Sequence, residues 1–251
     1  MNYEPAIVRF FEMHGFAIEK ISEDDEERPD FLVQDEQNAY LVELKTKSES
    51  EEYLQERRDA LATGRVYGEH IPVTPRNRLS GIIRKAKSQL RNHLGEEDIF
   101  RIPWLLCTGH TAEARMDQFE STLYGSASII NLDRSGMRTC YFFHNSDFYR
   151  YKDTLAGAIV STPSTARLLL NPYYGRSSAF ANSSVFGIKE LNPINPIAEE
   201  KSGLAYIADG DIDRNSEEAV LSHLKTKYKA NKLMKMTMQH MSGTIMVQDH
   251  N

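Results

Sequence analysis

A polar tetrad, Asp35-Glu36-Gln37-Asn38, separates two extended segments at residues 31–33 and 39–47 and commits the N-terminal region of this chain to a β-sheet. Asp and Asn side chains bond to nearby backbone and favour tight reversals, so the spacing predicts a hairpin. An isolated hairpin is marginal in water and needs further strands or a helix against its apolar face. The sequence supplies both.

Upstream, Ile7, Val8, Phe10 and Phe11 fall at helical spacing, with Pro5 suited to a first turn and Gly15 to the end, which predicts an amphipathic helix over residues 5–14. Residues 16–21 then alternate as a strand. Downstream, residues 48–75 are polar and carry helix formers at 49–58 before Pro72 and Pro75, which predicts an inserted helix followed by a loop. Leu79, Ile82, Ile83, Ala86 and Leu90 make an apolar stripe on a second helix, residues 77–94, with Gly95 as its stop. Residues 102–108, 128–132 and 139–144 are expected as strands and 112–124 as a helix.

Helices between strands imply crossovers and a mixed α/β core over residues 1–155. Beyond it the pattern weakens. Residues 168–170 suggest a strand, 177–186 a short helix, 192–196 a connector and 216–240 a basic, Met-rich helix. The expectation for residues 156–251 is therefore a C-terminal extension of helical and irregular character.

With 40% hydrophobic and 26% charged residues the chain can bury a core, which argues against disorder. No apolar run reaches the roughly 20 residues of a membrane helix, and the start lacks a signal peptide, so a soluble cytoplasmic protein is expected. Cys107 and Cys140 sit in apolar stretches as core residues rather than zinc ligands. The net charge of −6 excludes a uniformly basic nucleic-acid binder, but charge is unevenly spread. Acids dominate up to about residue 52, including the run 23–27, whereas Arg76, Arg78, Arg84, Lys85, Lys87 and Arg91 form one basic stretch and Lys225 to Lys235 another.

The chemistry-bearing constellation is Asp30 on the first hairpin strand and Glu43-Leu44-Lys45 on the second. Alternation puts Glu43 and Lys45 on one face and Leu44 on the other. Cleaving a phosphodiester needs an activated water and positive charge for the phosphate, which Mg²⁺ on one or two carboxylates provides. Lys45 beside them would orient the water or offset phosphate charge. Residues 209–213 look like a calcium loop, but Val220 stands where an EF-hand needs Glu. No nucleophile elbow, Walker loop or dinucleotide fingerprint occurs.

Pro29-Asp30 followed by Glu43-Leu44-Lys45 resembles the motif of the PD-(D/E)xK, or restriction endonuclease-like, nuclease superfamily. Residues 4–16, ending His14-Gly15-Phe16, look like the first helix of its archaeal-type Holliday junction resolvase branch, and the resemblance spans about residues 1–145. It implies a mixed central sheet flanked by helices and a Mg²⁺-dependent endonuclease acting on DNA, with Mn²⁺ as a substitute metal. On that match Asp30, Glu43, the Leu44 backbone carbonyl and Glu4 hold the metal, with Glu12 as the alternative to Glu4. Lys45 completes the catalytic set, and Lys47, Arg84, Lys85, Lys87 and Gln89 contact nucleic acid.

Such chemistry serves restriction, phage defence and repair, often in homodimers or with a partner subunit. Two other functional classes stay open at this level. One is a non-catalytic nucleic-acid-binding or assembly module on the same fold, and the other an interaction protein working through its Met-rich terminal helix.

Overall fold

The structure is a computed structural model that describes residues 2–21, 28–92, 98–133 and 136–246. The acidic run 23–27 and Gly95 lie outside these residues. Pro5 occupies the first turn of α1 (Glu4–Met13), where its missing N–H costs no hydrogen bond. The helix buries Ile7 and Phe11, each contributing about 2 kcal/mol, and Gly15 adopts the left-handed backbone (φ 81°) that turns the chain into β1 (Ala17–Lys20).

The hairpin pairs β2 (Phe31–Gln34) with β3 (Ala39–Lys47), Phe31 opposite Val42. Asp35 closes its turn, its Oδ1 accepting from the Gln37 and Asn38 N–H groups at 2.7 and 2.8 Å. Residues 48–75 form α2 (Glu51–Ala62) and then β4 (Tyr67–Pro72) where a loop was expected, because β4 finds a distant partner. α3 (Asn77–Asn92) buries Leu79, Ile83, Ala86 and Leu90, and β5 (Phe100–Cys107) and α4 (Ala112–Tyr124) follow. Next come β6 (Ala127–Asn131), β7 (Met137–Tyr141) and the one-turn α5 (Asp147–Arg150).

The central sheet does not stop near residue 155. Its six strands run β1-β2-β3-β5-β8-β9, with β8 (Gly157–Ser161) parallel to β5 and β9 (Ala166–Leu170) antiparallel to β8. Antiparallel pairs hold β1, β2 and β3 together, and β3 runs parallel to β5. α6 (Ser177–Ala181) and α7 (Pro196–Lys201) lead to β10 (Ala205–Ile207). The basic helix, α8 (Glu217–Tyr228), ends at Lys229 in the left-handed region (φ 51°), well before residue 240. The Met-rich segment is instead extended as β11 (Leu233–Met236) and β12 (Gln239–Thr244), since pairing with β6 and β4 outweighs the helical preference of Met and Lys.

The chain is thus mixed α/β, with a central mixed sheet flanked by helices. One face packs Tyr40, Val42, Phe100 and Ile102 against α1 and the segment 174–191. The other packs Leu41, Leu105 and Cys107 against α3 and α4. A smaller sheet, β10-β7-β6-β11, buries Cys140 with Val220 and Leu224 of α8, and both cysteines are free. Among the described residues no helix is long and apolar enough to cross a membrane.

Gly157 shows how tightly the later strands are built in. A Cβ there would lie 2.4 Å from the Leu169 carbonyl oxygen and 2.7 Å from the Phe180 ring. The carbonyl is fixed by the sheet, so Gly157→Ala is expected to destabilise the fold by about 2 kcal/mol, a drop of several degrees in thermal melting. An unchanged melting temperature would show that β8 and β9 are not packed as described.

Candidate active site

β3 carries two environments on one strand. Leu44 packs with the α1-side core, while Leu41, Glu43, Lys45 and Lys47 alternate onto the α3 side. Continuing the β2–β3 register would set Leu44 against Pro29, which has no N–H to offer. The ladder therefore ends, the Leu44 carbonyl receives no donor from that side, and the Leu44 N–H donates to Asp30 Oδ2 at 2.6 Å. Pro29 thus opens the sheet where the acidic side chains meet.

There the Asp30 N–H donates to Glu43 Oε2 at 3.2 Å, and Lys45 Nζ lies 2.5 Å from Glu43 Oε1. Glu43 is fully buried. Among the described residues the Lys45 ammonium is the one partner of this buried oxygen. Burial first, and the Asp30 charge next, push the Glu43 carboxyl up to about 7 against the pull of Lys45. Burial also raises Asp30, with Glu4 adding to it and the Leu44 N–H and Lys45 opposing.

Asp30, Glu43 and Lys45 are therefore brought together. Glu4 is close enough for its charge to reach Asp30, but its Oε2 accepts from Lys20 Nζ at 2.5 Å, a partner on β1 that the sequence did not suggest. Glu12 is exposed in the last turn of α1. Among the described residues no three His, Cys, Asp or Glu side chains are grouped closely enough to hold a metal ion. Two carboxylates and a backbone carbonyl nonetheless fit Mg²⁺, which takes few protein ligands and completes its shell with water and substrate oxygens. Glu43 Oε1, which faces Lys45, is the oxygen such an ion would share with the ammonium.

The residues expected to contact nucleic acid separate into four situations. Arg84 and Lys85 are exposed on α3. Lys87 sits 5.6 Å above the Tyr151 ring. Gln89 donates to the Arg28 carbonyl at 3.2 Å, so it anchors the segment leading into Pro29-Asp30. Lys47 ends the Glu43–Lys45 row and enters a cleft of about 450 Å³ whose walls also hold Arg76, Arg78 and Arg115. Arg115 is a lone arginine on α4, and nothing local in the sequence marks it. No family model, curated protein or solved structure matches the chain. The functional reading therefore rests on the motif and this geometry.

Proposed function

We propose that this protein is a metal-dependent nuclease of the PD-(D/E)xK class, hydrolysing phosphodiester bonds in DNA. The observation that carries the reading is the Glu43 carboxylate, fully buried beside Asp30, with the Lys45 ammonium against one of its oxygens. Burying such a group is costly unless something compensates it, and costly polar placements concentrate at functional sites.

Asp30, Glu43 and the Leu44 carbonyl would hold Mg²⁺ or Mn²⁺, which when bound supplies positive charge to the scissile phosphate and acidifies the attacking water. Lys45, about a quarter exposed, reaches the site mouth from the face that carries Glu43. Its ammonium donates to the attacking water and offsets the charge that grows on the phosphate. Gln89 keeps Asp30 in register through the Arg28 carbonyl. Glu4, drawn to Lys20, acts on Asp30 through its charge.

The test is incubation of the folded protein and its Asp30→Asn variant with plasmid and single-stranded DNA in Mg²⁺, Mn²⁺ or EDTA. Asn keeps the size of Asp while removing its charge, so the expected result is cleavage by wild type alone, abolished by EDTA. Folded wild type that cuts no DNA form in either metal would sink the proposal. DNA retention without cleavage would point to a binding module.

A further inference from the structure

The cleft beyond Lys47 contains chemistry that cleavage at Asp30 and Glu43 does not use. Lys47, Arg76, Arg78 and Arg115 line it, and among the described residues none of them forms an ion pair with a carboxylate. Arg115 Nε is spent on the Thr111 hydroxyl at 3.0 Å. Lys47 is driven below its ordinary range by burial and then by Arg78 and Arg115, so these cations crowd one another. Like charges held together without counter-ions are stabilised by an anion placed among them.

The rest of the lining differs. Tyr53 of α2, nearly half exposed, and Tyr67 of β4 lie there with Glu56 and Glu69, whose charges both reach Tyr67. A polyanion is attracted to the four cations and repelled by the two carboxylates. Aromatic faces stack bases of any sequence, and carboxylates accept hydrogen bonds from base N–H groups. The volume of the cleft is that of a small-molecule pocket. From Glu43 to Lys47 the strand advances about 13 Å, so the cleft lies a few nucleotides from the metal-binding carboxylates.

We propose that this cleft binds a single strand of nucleic acid, its phosphates on Lys47, Arg76, Arg78 and Arg115 and its bases on Tyr53 and Tyr67, and leads that strand to Asp30 and Glu43. The proposal rests on the nuclease reading only for the strand's destination; binding itself is measured without metal. α2 is fixed as a wall by Glu49, which accepts from Arg57 and from the Thr111 N–H at 3.3 and 3.1 Å. β4 is held by its pairing along the whole of β12.

The experiment is fluorescence anisotropy in EDTA with a labelled oligo(dT) of about 12 nucleotides and, separately, a blunt hairpin duplex. Arg78→Glu and Arg115→Gln are each expected to weaken oligo(dT) binding about tenfold and to lower the salt slope by about 0.7 per cation lost. Tyr53→Ala and Tyr67→Ala are expected to weaken it about tenfold with the slope unchanged. The duplex should bind weakly and respond to none of them. Arg76→Ala and Arg78→Ala, at exposed positions, serve as variants that keep the fold, checked by thermal melting.

Wild-type affinity in all the cation variants, or duplex binding equal to oligo(dT) and equally impaired, would overturn the proposal. Failure of this kind in a protein that still cleaves DNA leaves the nuclease reading standing. Lost oligo(dT) binding in variants of a protein that never cleaves retains the track and removes the nuclease.

Discussion

Lys45→Ala is expected to lower Mg²⁺-dependent cleavage roughly 10³-fold, the scale on which a single preorganised electrostatic donor acts. The ammonium sits on the row that carries Glu43 and is about a quarter exposed. Removing it would usually leave a buried carboxylate uncompensated. Here Glu43 already takes up a proton near pH 7, and losing Lys45 moves it further towards the neutral form. The variant should therefore melt close to wild type at pH 6 while its single-turnover rate collapses at saturating Mg²⁺. A rate within tenfold of wild type would reassign Lys45 to the solvation of Glu43 and remove it from the chemistry.

Glu43→Gln is expected to stabilise the metal-free protein in alkaline solution. The Glu43 carboxyl titrates near 7 in the fold and at its ordinary 4.5 when unfolded. Between those values the folded chain keeps a proton that the unfolded chain has released, so stability falls as pH rises through the window. Above about 7 the full cost is present, about 3 kcal/mol for a shift of this size. Gln carries no such charge. Thermal melts in EDTA should show the variant more stable at pH 8 and level with wild type near pH 4.5. Mg²⁺ should then raise the melting of wild type and not of Glu43→Gln, because a ligand stabilises only the state that binds it. Equal melting at pH 8 would mean that the buried carboxylate is compensated by groups other than a metal.

The first helix and the hairpin were legible because their signals are local. Pro5, the apolar spacing of Ile7 and Phe11, the Asp35 turn and the alternation through Glu43 and Lys45 each fix a short stretch of backbone. Gly157–Ser161 carries no such signal: a strand buried on both faces has no alternation, and its five residues suit a buried helix equally well. β4 was hidden for the opposite reason, since a two-stranded ribbon with half-exposed faces needs no apolar pattern. At Lys229 no Gly or Pro announced the end of α8, so the Met and Lys residues beyond it read as more helix. In the site, Asp30, Glu43 and Lys45 came from spacing along the hairpin. The Glu4–Lys20 pair and the approach of Arg115 to Lys47 came from tertiary packing alone.

The pairing of β4 with β12 gives the molecule a temporal order. A chain emerging from the ribosome makes its earlier parts first, and contacts distant in sequence must wait for their partner. Asp30, Glu43 and Lys45 can meet as soon as the hairpin and β5 are out, whereas β4 stays unpaired until residues 239–244 have been synthesised. The wall that carries Tyr67 and Glu69 is thus among the last structures to form, so a nascent chain would possess the acidic centre well before its full cleft.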